Sequence, residues 1–270
     1  MHKTILITGA TDGIGLETAK LLAADSHNLI IHGRNPEKLS TVTQLLAEIP
    51  NAGTITGYLA DLSHFSDVEK FVNTIFQHHE HLDVLINNAG IFKVKPSITS
   101  DGLDIRFIVN TISPYFITQA LSPLLGHNGR VINLSSAAQA PVNIQALSGK
   151  VTLSDMEAYS QSKLAITMWS YYTAEQTKNI GPSIIAVNPG SLLASKMVTE
   201  GFGIEGKALS IGATVLKRMA LENDIPNYSG QYFDNDSGQF ALPHPDGINS
   251  QKSKEVVDVI ESIINKMKTS

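Results

Sequence analysis

Apolar residues along this chain fall into two kinds of segment that take turns. Short continuous runs at Thr4 to Thr8, Asn28 to His32 and Leu82 to Ile86 read as strands buried on both faces. Between them lie longer stretches with apolar residues at helical spacing. Leu39, Val42, Leu45, Leu46 and Ile49 share one face over Pro36 to Glu48, a segment that opens on a proline suited to a helix start. Phe65, Val68, Phe71, Val72, Ile75 and Phe76 make a similar face over Phe65 to Phe76. The same reading predicts strands at Thr54 to Leu59, Gly129 to Leu134, Ser183 to Val187 and Gly230 to Phe233. It predicts helices at Leu16 to Ala24, Leu103 to Leu125, 158 to 178 and Ser253 to Met267. Leu164, Met168, Trp169 and Tyr172 form the packing face of 158 to 178, and Val256, Val257, Ile260, Ile263, Ile264 and Met267 that of the last helix. Strands alternating with helices predict an α/β fold: a doubly wound parallel sheet of about seven strands with helices on both faces, in a single domain over 1–270.

The turn between the first strand and the first helix is the most distinctive stretch. Thr8 to Gly15 reads TGATDGIG. Gly9 allows a tight turn, Gly13 lets the backbone come close to a ligand, and Gly15 lets the helix pack against the strand. The free N–H groups of that helix start carry partial positive charge and suit a pyrophosphate, with Thr11, Asp12 and Ile14 completing the turn. The spacing G-x-x-x-G-x-G differs from the general G-x-G-x-x-G fingerprint, and no Gly-Lys-Ser/Thr follows, which excludes a P-loop. At the end of the second strand, Gly33-Arg34-Asn35 stands where an acid would bind the ribose 2'-OH of NAD. Arg34 suits a 2'-phosphate instead, so NADP(H) is preferred with NAD(H) as the alternative, although Arg34 also reads as a solvated loop residue and Asp12 adds negative charge nearby.

Composition narrows the function class. The chain has 270 residues, 42% hydrophobic, 17% charged, with a net charge of -5 and no cysteine. There is no basic field for nucleic acid or an anionic membrane, no disulfide and no thiolate chemistry. No leader precedes the first strand and no apolar run approaches the ~20 residues of a membrane span, so a cytoplasmic protein is expected. His78 and His81 lie one helical turn apart, but no third ligand accompanies them, and no metal is expected.

Tyr159 and Lys163 are separated by one helical turn and therefore share a face. A free phenol has a pKa of about 10 and is a poor base. The Lys163 ammonium, and the positive nicotinamide ring of an oxidised cofactor, would favour the phenolate and bring Tyr159 toward the working pH.

TGATDGIG, then Asn87-Asn88-Ala89-Gly90 after the fourth strand, then Tyr159-Ser-Gln-Ser-Lys163, resemble the short-chain dehydrogenase/reductase family; the matches run from Thr8 to about Ser195. The retinol-dehydrogenase-like branch is the nearest in character. The resemblance implies a Rossmann-type fold and an NADP(H)-dependent oxidoreductase acting on a small carbonyl or alcohol. It implies Asn110, Ser136, Tyr159 and Lys163 as catalytic residues, with Ser136 and Tyr159 holding the substrate oxygen. Ser136 is chosen over Ser135 because it aligns with the second serine of the strand-end pair. Asn110, mid-helix, would hold a water leading to Lys163. Asp61 and Leu62 would lie beside the adenine, though Asp61 also reads as a helix cap; Asn88, Ala89 and Gly90 would flank the adenosine, and Pro189 and Gly190 the nicotinamide carboxamide, with Ser195 the nearest match to a following threonine. Residues 191–225 would form a substrate lid, and 137–155 an additional loop near the substrate. Copies of such enzymes pair through helices corresponding to 103–125 and 156–178. The alternative is an idle NADPH sensor on the same fold, which intact Ser136, Tyr159 and Lys163 disfavour; an epimerase or dehydratase would need a larger C-terminal domain.

Overall fold

The computed structural model describes residues 2–194, 203 and 205–269. Its strands are β1 (Thr4–Ile7), β2 (Asn28–Gly33), β3 (Ile55–Leu59), β4 (Val84–Asn87), β5 (Arg130–Leu134), β6 (Ser183–Asn188), β7 (Tyr232–Asp234) and β8 (Gln239–Ala241). They form one sheet in the order β3-β2-β1-β4-β5-β6-β7-β8. Neighbours pair in parallel as far as β7, and β8 adds an antiparallel edge. The helices are α1 (Gly13–Ala24), α2 (Pro36–Ala47), α3 (Phe65–His78), α4 (Ile105–Phe107), α5 (Ser113–Leu125), α6 (Ile144–Leu147), α7 (Asp155–Gln176), α8 (Leu209–Leu221) and α9 (Ser250–Thr269).

Alternate residues of each strand face opposite sides of the sheet, so the continuous apolar runs feed two cores. Leu6, Ile30, Leu85, Val131 and Ile184 meet α3, α5, α7 and α9 on one side. Ile5, Ile7, Leu29, Ile31, Val84, Ile86, Ile132 and Ile185 meet α1, α2 and α8 on the other. The amphipathic α9 lies along α7 and α5, where Val256, Val257 and Ile260 are buried and the Tyr115 hydroxyl donates to Glu261 at 2.7 Å. Trp169 and Tyr115 meet edge to face in the same core, with centroids 5.5 Å apart.

Four local expectations change. The sheet has an eighth strand, because the turn through Gly238, at φ 72°, returns the chain antiparallel onto β7. The first helix begins at Gly13, since the Asp12 side chain accepts the Gly13 N–H and starts it early. The stretch 103–125 is not broken at Pro114, which sits harmlessly in the first turn of α5. The irregularity is a π turn over Ile108–Ile112, centred on Asn110. Finally, the stretch expected as a lid over 191–225 contains α8, whose Ala213, Leu216, Met219 and Ala220 are fully buried in the core shared with α1. Apolar residues at 213, 216, 219 and 220 were a helical pattern that the glycines around them obscured. Before α8 the chain is pinned where Leu193 bridges Lys207, Ala194 N–H donating to the Lys207 carbonyl at 2.6 Å. Ser195, the expected partner of the Pro189-Gly190 turn, lies outside the described residues.

The segment 137–155 folds back onto the body through α6. Asn143 caps it by accepting from Gln145 and Ala146 N–H, and Ala146 and Leu147 are buried. The start of α7 is anchored by Arg106, only 1% exposed, whose guanidinium bonds both carboxylate oxygens of buried Asp104 and also Asp155 in the first turn of α7. Replacing Arg106 with leucine leaves Asp104 as an uncompensated buried charge and is expected to cost about 3–5 kcal/mol. Asp155→Asn, whose side chain is half exposed, is expected to cost less than about 1 kcal/mol. Urea denaturation of the two variants checks the difference; equal losses would refute it.

Candidate active site

The strand order reverses between β1 and β4, and crevices for ligands open at the carboxyl ends of strands at such a point. A cavity of about 350 Å³ lies there. Gly9, Thr11, Asp12, Gly13 and Ile14 from the glycine turn line one end, with Arg34, Asp61 and Leu62 on the rim beside them. Asn88, Ala89 and Gly90 line the middle, and Tyr159, Lys163 and Pro189 the far end.

The glycine turn is held by close approach. A Cβ on Gly9, at φ 65°, would stand 2.9 Å from Ala89 Cα, and one on Gly15 would stand 2.4 Å from the Asn88 side-chain nitrogen. Gly15 therefore does not line the cavity; it lies behind it and admits Asn88. That amide donates to the Thr8 and Gly9 carbonyls at 2.8 and 3.0 Å, while Thr8 Oγ1 accepts the N–H groups of Asn88 and Ala89 at 3.0 and 3.1 Å. Gly13, at φ 58°, would carry a Cβ into open space, so the cradle is free on the side facing the cavity. One strand over, Asn87 donates to Asn133 on β5 at 2.8 Å and to Thr118 at 3.0 Å, tying neighbouring elements through side-chain amides.

The rim is polar in a specific way. Burial works to raise the Asp61 carboxyl, but bonds from the Ser63 hydroxyl and N–H and the charges of His64 and Arg34 outweigh it and hold the group below the usual carboxylate range. Asp61 thus both caps its own turn and faces the cavity. The Asp12 carboxylate meets the Lys38 ammonium at 3.1 Å, so its charge is partly answered by a cation one turn after Arg34. Lys38 was not singled out in the sequence, because its position opposite Asp12 depends on how α2 leaves β2.

At the other end, Tyr159 and Lys163 project from one face of α7. Lys163 Nζ donates to the Leu134 carbonyl at 2.7 Å, and burial pulls its pKa from 10.5 to about 8. Burial also pushes the Tyr159 phenol above its ordinary value, against a hydrogen bond with Ser136 that acts the other way. Lys163 is not among the groups that shift the phenol here. Lys163 Nζ stands 5.8 Å from the Tyr159 ring centroid.

The two serines at the end of β5 separate cleanly. Ser135 is buried, with its hydroxyl on the Lys163 carbonyl at 2.9 Å and on Thr167 at 2.7 Å, so it fastens α7 to the sheet. Ser136 is half-buried and does not line the cavity; its Oγ accepts the Ala138 N–H at 3.1 Å. The Ser136 carbonyl receives the Tyr232 hydroxyl at 3.1 Å and the Gln139 amide at 3.0 Å, fixing that peptide.

Asn110 is buried in the π turn and does not line the cavity. Its side chain pairs with both backbone groups of Ile91, at 2.8 and 3.0 Å, and donates to Ser162 at 3.0 Å, holding the loop after β4 against α7. Gly190, at φ 119°, likewise stays outside the lining; Pro189 reaches it, with its carbonyl held by Asn235 at 2.9 Å. Lining residues that the sequence did not offer are His32, Gly33, Ile91, Val109, Leu134 and Ser135, the last in place of the expected Ser136, and Phe92 lies against Tyr159 with ring centroids 5.1 Å apart. His78 and His81 lie elsewhere: His78 bonds the Thr74 carbonyl at 2.8 Å and His81 faces Asp83 at 3.4 Å. Among the described residues no helix is long and apolar enough to cross a membrane.

Known proteins bear on this geometry. The family model for short chain dehydrogenases matches residues 3–202. The chain is 32% identical over 252 residues to a WW domain-containing oxidoreductase of Drosophila melanogaster, covering 86% of this chain and 62% of that one. It is 31% identical over 244 residues to retinol dehydrogenase 12 of Mus musculus, covering 86% and 77%. A solved short chain dehydrogenase from Escherichia coli CFT073, complexed with NADPH, has a TM-score of 0.70 at 24% identity, over 86% of this chain and 96% of that one. The glycine turn, the Asn87 to Gly90 turn and the tyrosine and lysine of α7 thus share one sheet edge in a chain whose sequence matches that family for most of its length, and the chain belongs to the short chain dehydrogenase family of oxidoreductases, in its retinol-dehydrogenase-like branch.

Proposed function

We propose that this protein is an NADP(H)-dependent carbonyl reductase or alcohol dehydrogenase in which Tyr159 is the general acid and base. The observation that carries the reading is the placement of Tyr159 and Lys163, one helical turn apart, at one end of a cavity whose other end is the glycine cradle.

The residues fit a dinucleotide. A cradle backed by close contacts at Gly9 and Gly15 and open at Gly13 suits a pyrophosphate at the start of α1. Thr11, Asp12 and Ile14 would flank it. Arg34, on the rim of the cavity with no acid at the end of β2, would hold a 2'-phosphate, and a similarly folded short chain dehydrogenase from Escherichia coli is complexed with NADPH. Asp61 and Leu62 would border the adenine, Asn88, Ala89 and Gly90 the adenosine, and Pro189 and Gly190 the carboxamide. When bound, the reduced cofactor supplies the hydride that reaches the carbonyl carbon.

The chain's own groups manage the oxygen. Ser136 donates to it and orients it, and Tyr159 delivers its phenolic proton as negative charge develops there. A raised phenol pKa favours this direction. In alcohol oxidation Tyr159 first gives up its proton by way of Lys163, and the phenolate then receives the hydroxyl proton. Lys163 would hold ribose hydroxyls and restore the proton of Tyr159, with the π turn at Asn110 as the route toward solvent. Phe92 against Tyr159 gives the substrate side an apolar wall.

Three outcomes are expected. Tyr159→Phe should lower carbonyl-dependent NADPH oxidation by about 10²–10⁴-fold while NADPH affinity, read by calorimetry, stays within about threefold. Unchanged turnover would remove Tyr159 as the acid. Arg34→Ala should weaken NADPH by roughly ten- to a hundredfold and NADH by less than about twofold, since a charge-assisted bond contributes about 1.5–3 kcal/mol. Equal losses for both nucleotides would show that Arg34 does not read the 2'-phosphate. The third concerns Lys163. The unfolded chain keeps this proton up to about pH 10.5 and the folded chain only to about 8, so stability rises with pH between those values and the penalty is fully present at pH 7. Lys163→Met, assayed without nucleotide, should therefore be more stable than the native protein by about 1–3 kcal/mol at pH 7, with the gain shrinking by pH 10. A variant less stable at pH 7 contradicts this.

A further inference from the structure

His32 is the one imidazole lining the cavity, and the mechanism above makes no use of it. It stands next to last in β2, 3% exposed. Its ring is bonded at both nitrogens to backbone: Nδ1 faces the Gly9 N–H at 3.1 Å and Nε2 faces the Ala60 carbonyl at 3.0 Å. Its own carbonyl accepts the Ala10 N–H at 2.9 Å. Gly9 is the first residue of the phosphate turn, and Ala60 immediately precedes Asp61 and Leu62 on the rim.

We infer that His32 is a positioning residue for dinucleotide binding, a neutral imidazole clamp that joins the glycine turn to the Asp61-Leu62 rim. The chemistry allows one arrangement. A backbone N–H can only donate and a carbonyl can only accept, so Nδ1 must be bare and Nε2 must carry the proton. A charged ring would set Nδ1–H against the Gly9 N–H and open the turn. The surroundings hold the ring neutral: burial pulls its pKa from 6.5 to about 4, outweighing the Ala60 carbonyl and the Asp61 carboxylate, and Phe71 closes one side with ring centroids 5.0 Å apart. Asn88 grips the opposite flank of the same turn through the Gly9 carbonyl. The Gly9 peptide is thus fixed from β4 by its oxygen and from β2 by its nitrogen. An apolar residue at 32 would bury both the Gly9 N–H and the Ala60 carbonyl without these partners.

The inference rests on the reading of the glycine turn as the NADP(H) cradle, and the test separates the two. NADP⁺ binding is measured by calorimetry for the native protein, His32→Leu and His32→Asn. An asparagine can place an acceptor oxygen near the site of Nδ1. The expected result is native binding, a loss of tenfold or more in the leucine variant with kcat at saturating nucleotide within about twofold, and recovery to within about threefold of native in the asparagine variant. Leucine binding like native, or equal losses in both variants, overturns the clamp; a native protein that does not bind NADP⁺ overturns the functional reading itself. Independently of nucleotide and of any variant's folding, NMR of the ¹⁵N-histidine-labelled native protein at pH 6.5 should show His32 as the neutral Nε2–H tautomer. The opposite tautomer, or a charged ring, overturns the clamp.

Discussion

The structure depends on how closely the turn after β1 can approach the turn after β4. The Asn88 amide donates to two successive carbonyls, Thr8 and Gly9, and it can do so only because Gly15 leaves the space that a methyl group would take. The Thr8 hydroxyl returns two bonds to the backbone at Asn88 and Ala89. These contacts lie at the reversal of strand order, where the two halves of the sheet diverge and a ligand can enter. With those bonds the cradle has a fixed floor, and α1 starts at a defined angle with its free N–H groups toward the cavity. A larger residue at 9 or 15 would push the halves apart and cost both packing and bonds.

The opposite end of the cavity is built by a different principle, that of burying charge and hydroxyl groups where they act. Lys163 is carried by α7 and anchored to the end of β5 through the Leu134 carbonyl, while Ser135 holds the helix backbone at the same level. The ammonium and the phenol both bear the cost of leaving water, visible as a lowered lysine pKa and a raised tyrosine pKa. The fold tolerates these groups because the helix is secured around them: Arg106 reaches its first turn, Asn110 bonds Ser162, and α9 packs along its outer side. Ser136 is fastened through its own peptide by Gln139 and Tyr232, and Gln139 in turn accepts the His244 N–H at 2.9 Å, so the C-terminal part of the chain bears on the Ser136 peptide.

Much of this was legible in the residues. The alternation of apolar runs and helical faces led to the sheet and its coverings because a strand buried on both sides must be apolar throughout and a covering helix only on one stripe. The glycine turn, the Asn87 to Gly90 turn, and the tyrosine and lysine one turn apart were readable because short-range stereochemistry dictates them: small residues where backbone approaches backbone, helical spacing where two side chains share a face. The sequence does not show how the two serines at the end of β5 divide: Ser135 lines the cavity and bonds the backbone of α7, while the Ser136 hydroxyl accepts the Ala138 N–H. The region after β6 was read less well, since glycine-broken helical patterns such as α8 look like loops until a partner helix supplies their packing.

What the sequence determined alone was therefore local: which segments are strands or helices, where the backbone can turn tightly, and which chemical groups fall on one helical face. What only the tertiary structure decided was which distant atoms meet. His32 in an apolar strand, Lys38 on an exposed helix turn and Asn110 in a π turn acquire their partners 23, 26 and 19 residues away, through the twist of the sheet and the packing of helices on it. The desolvation that raises the Tyr159 pKa was decided there as well, because it is set by everything packed around a group and not by the residues beside it in the chain.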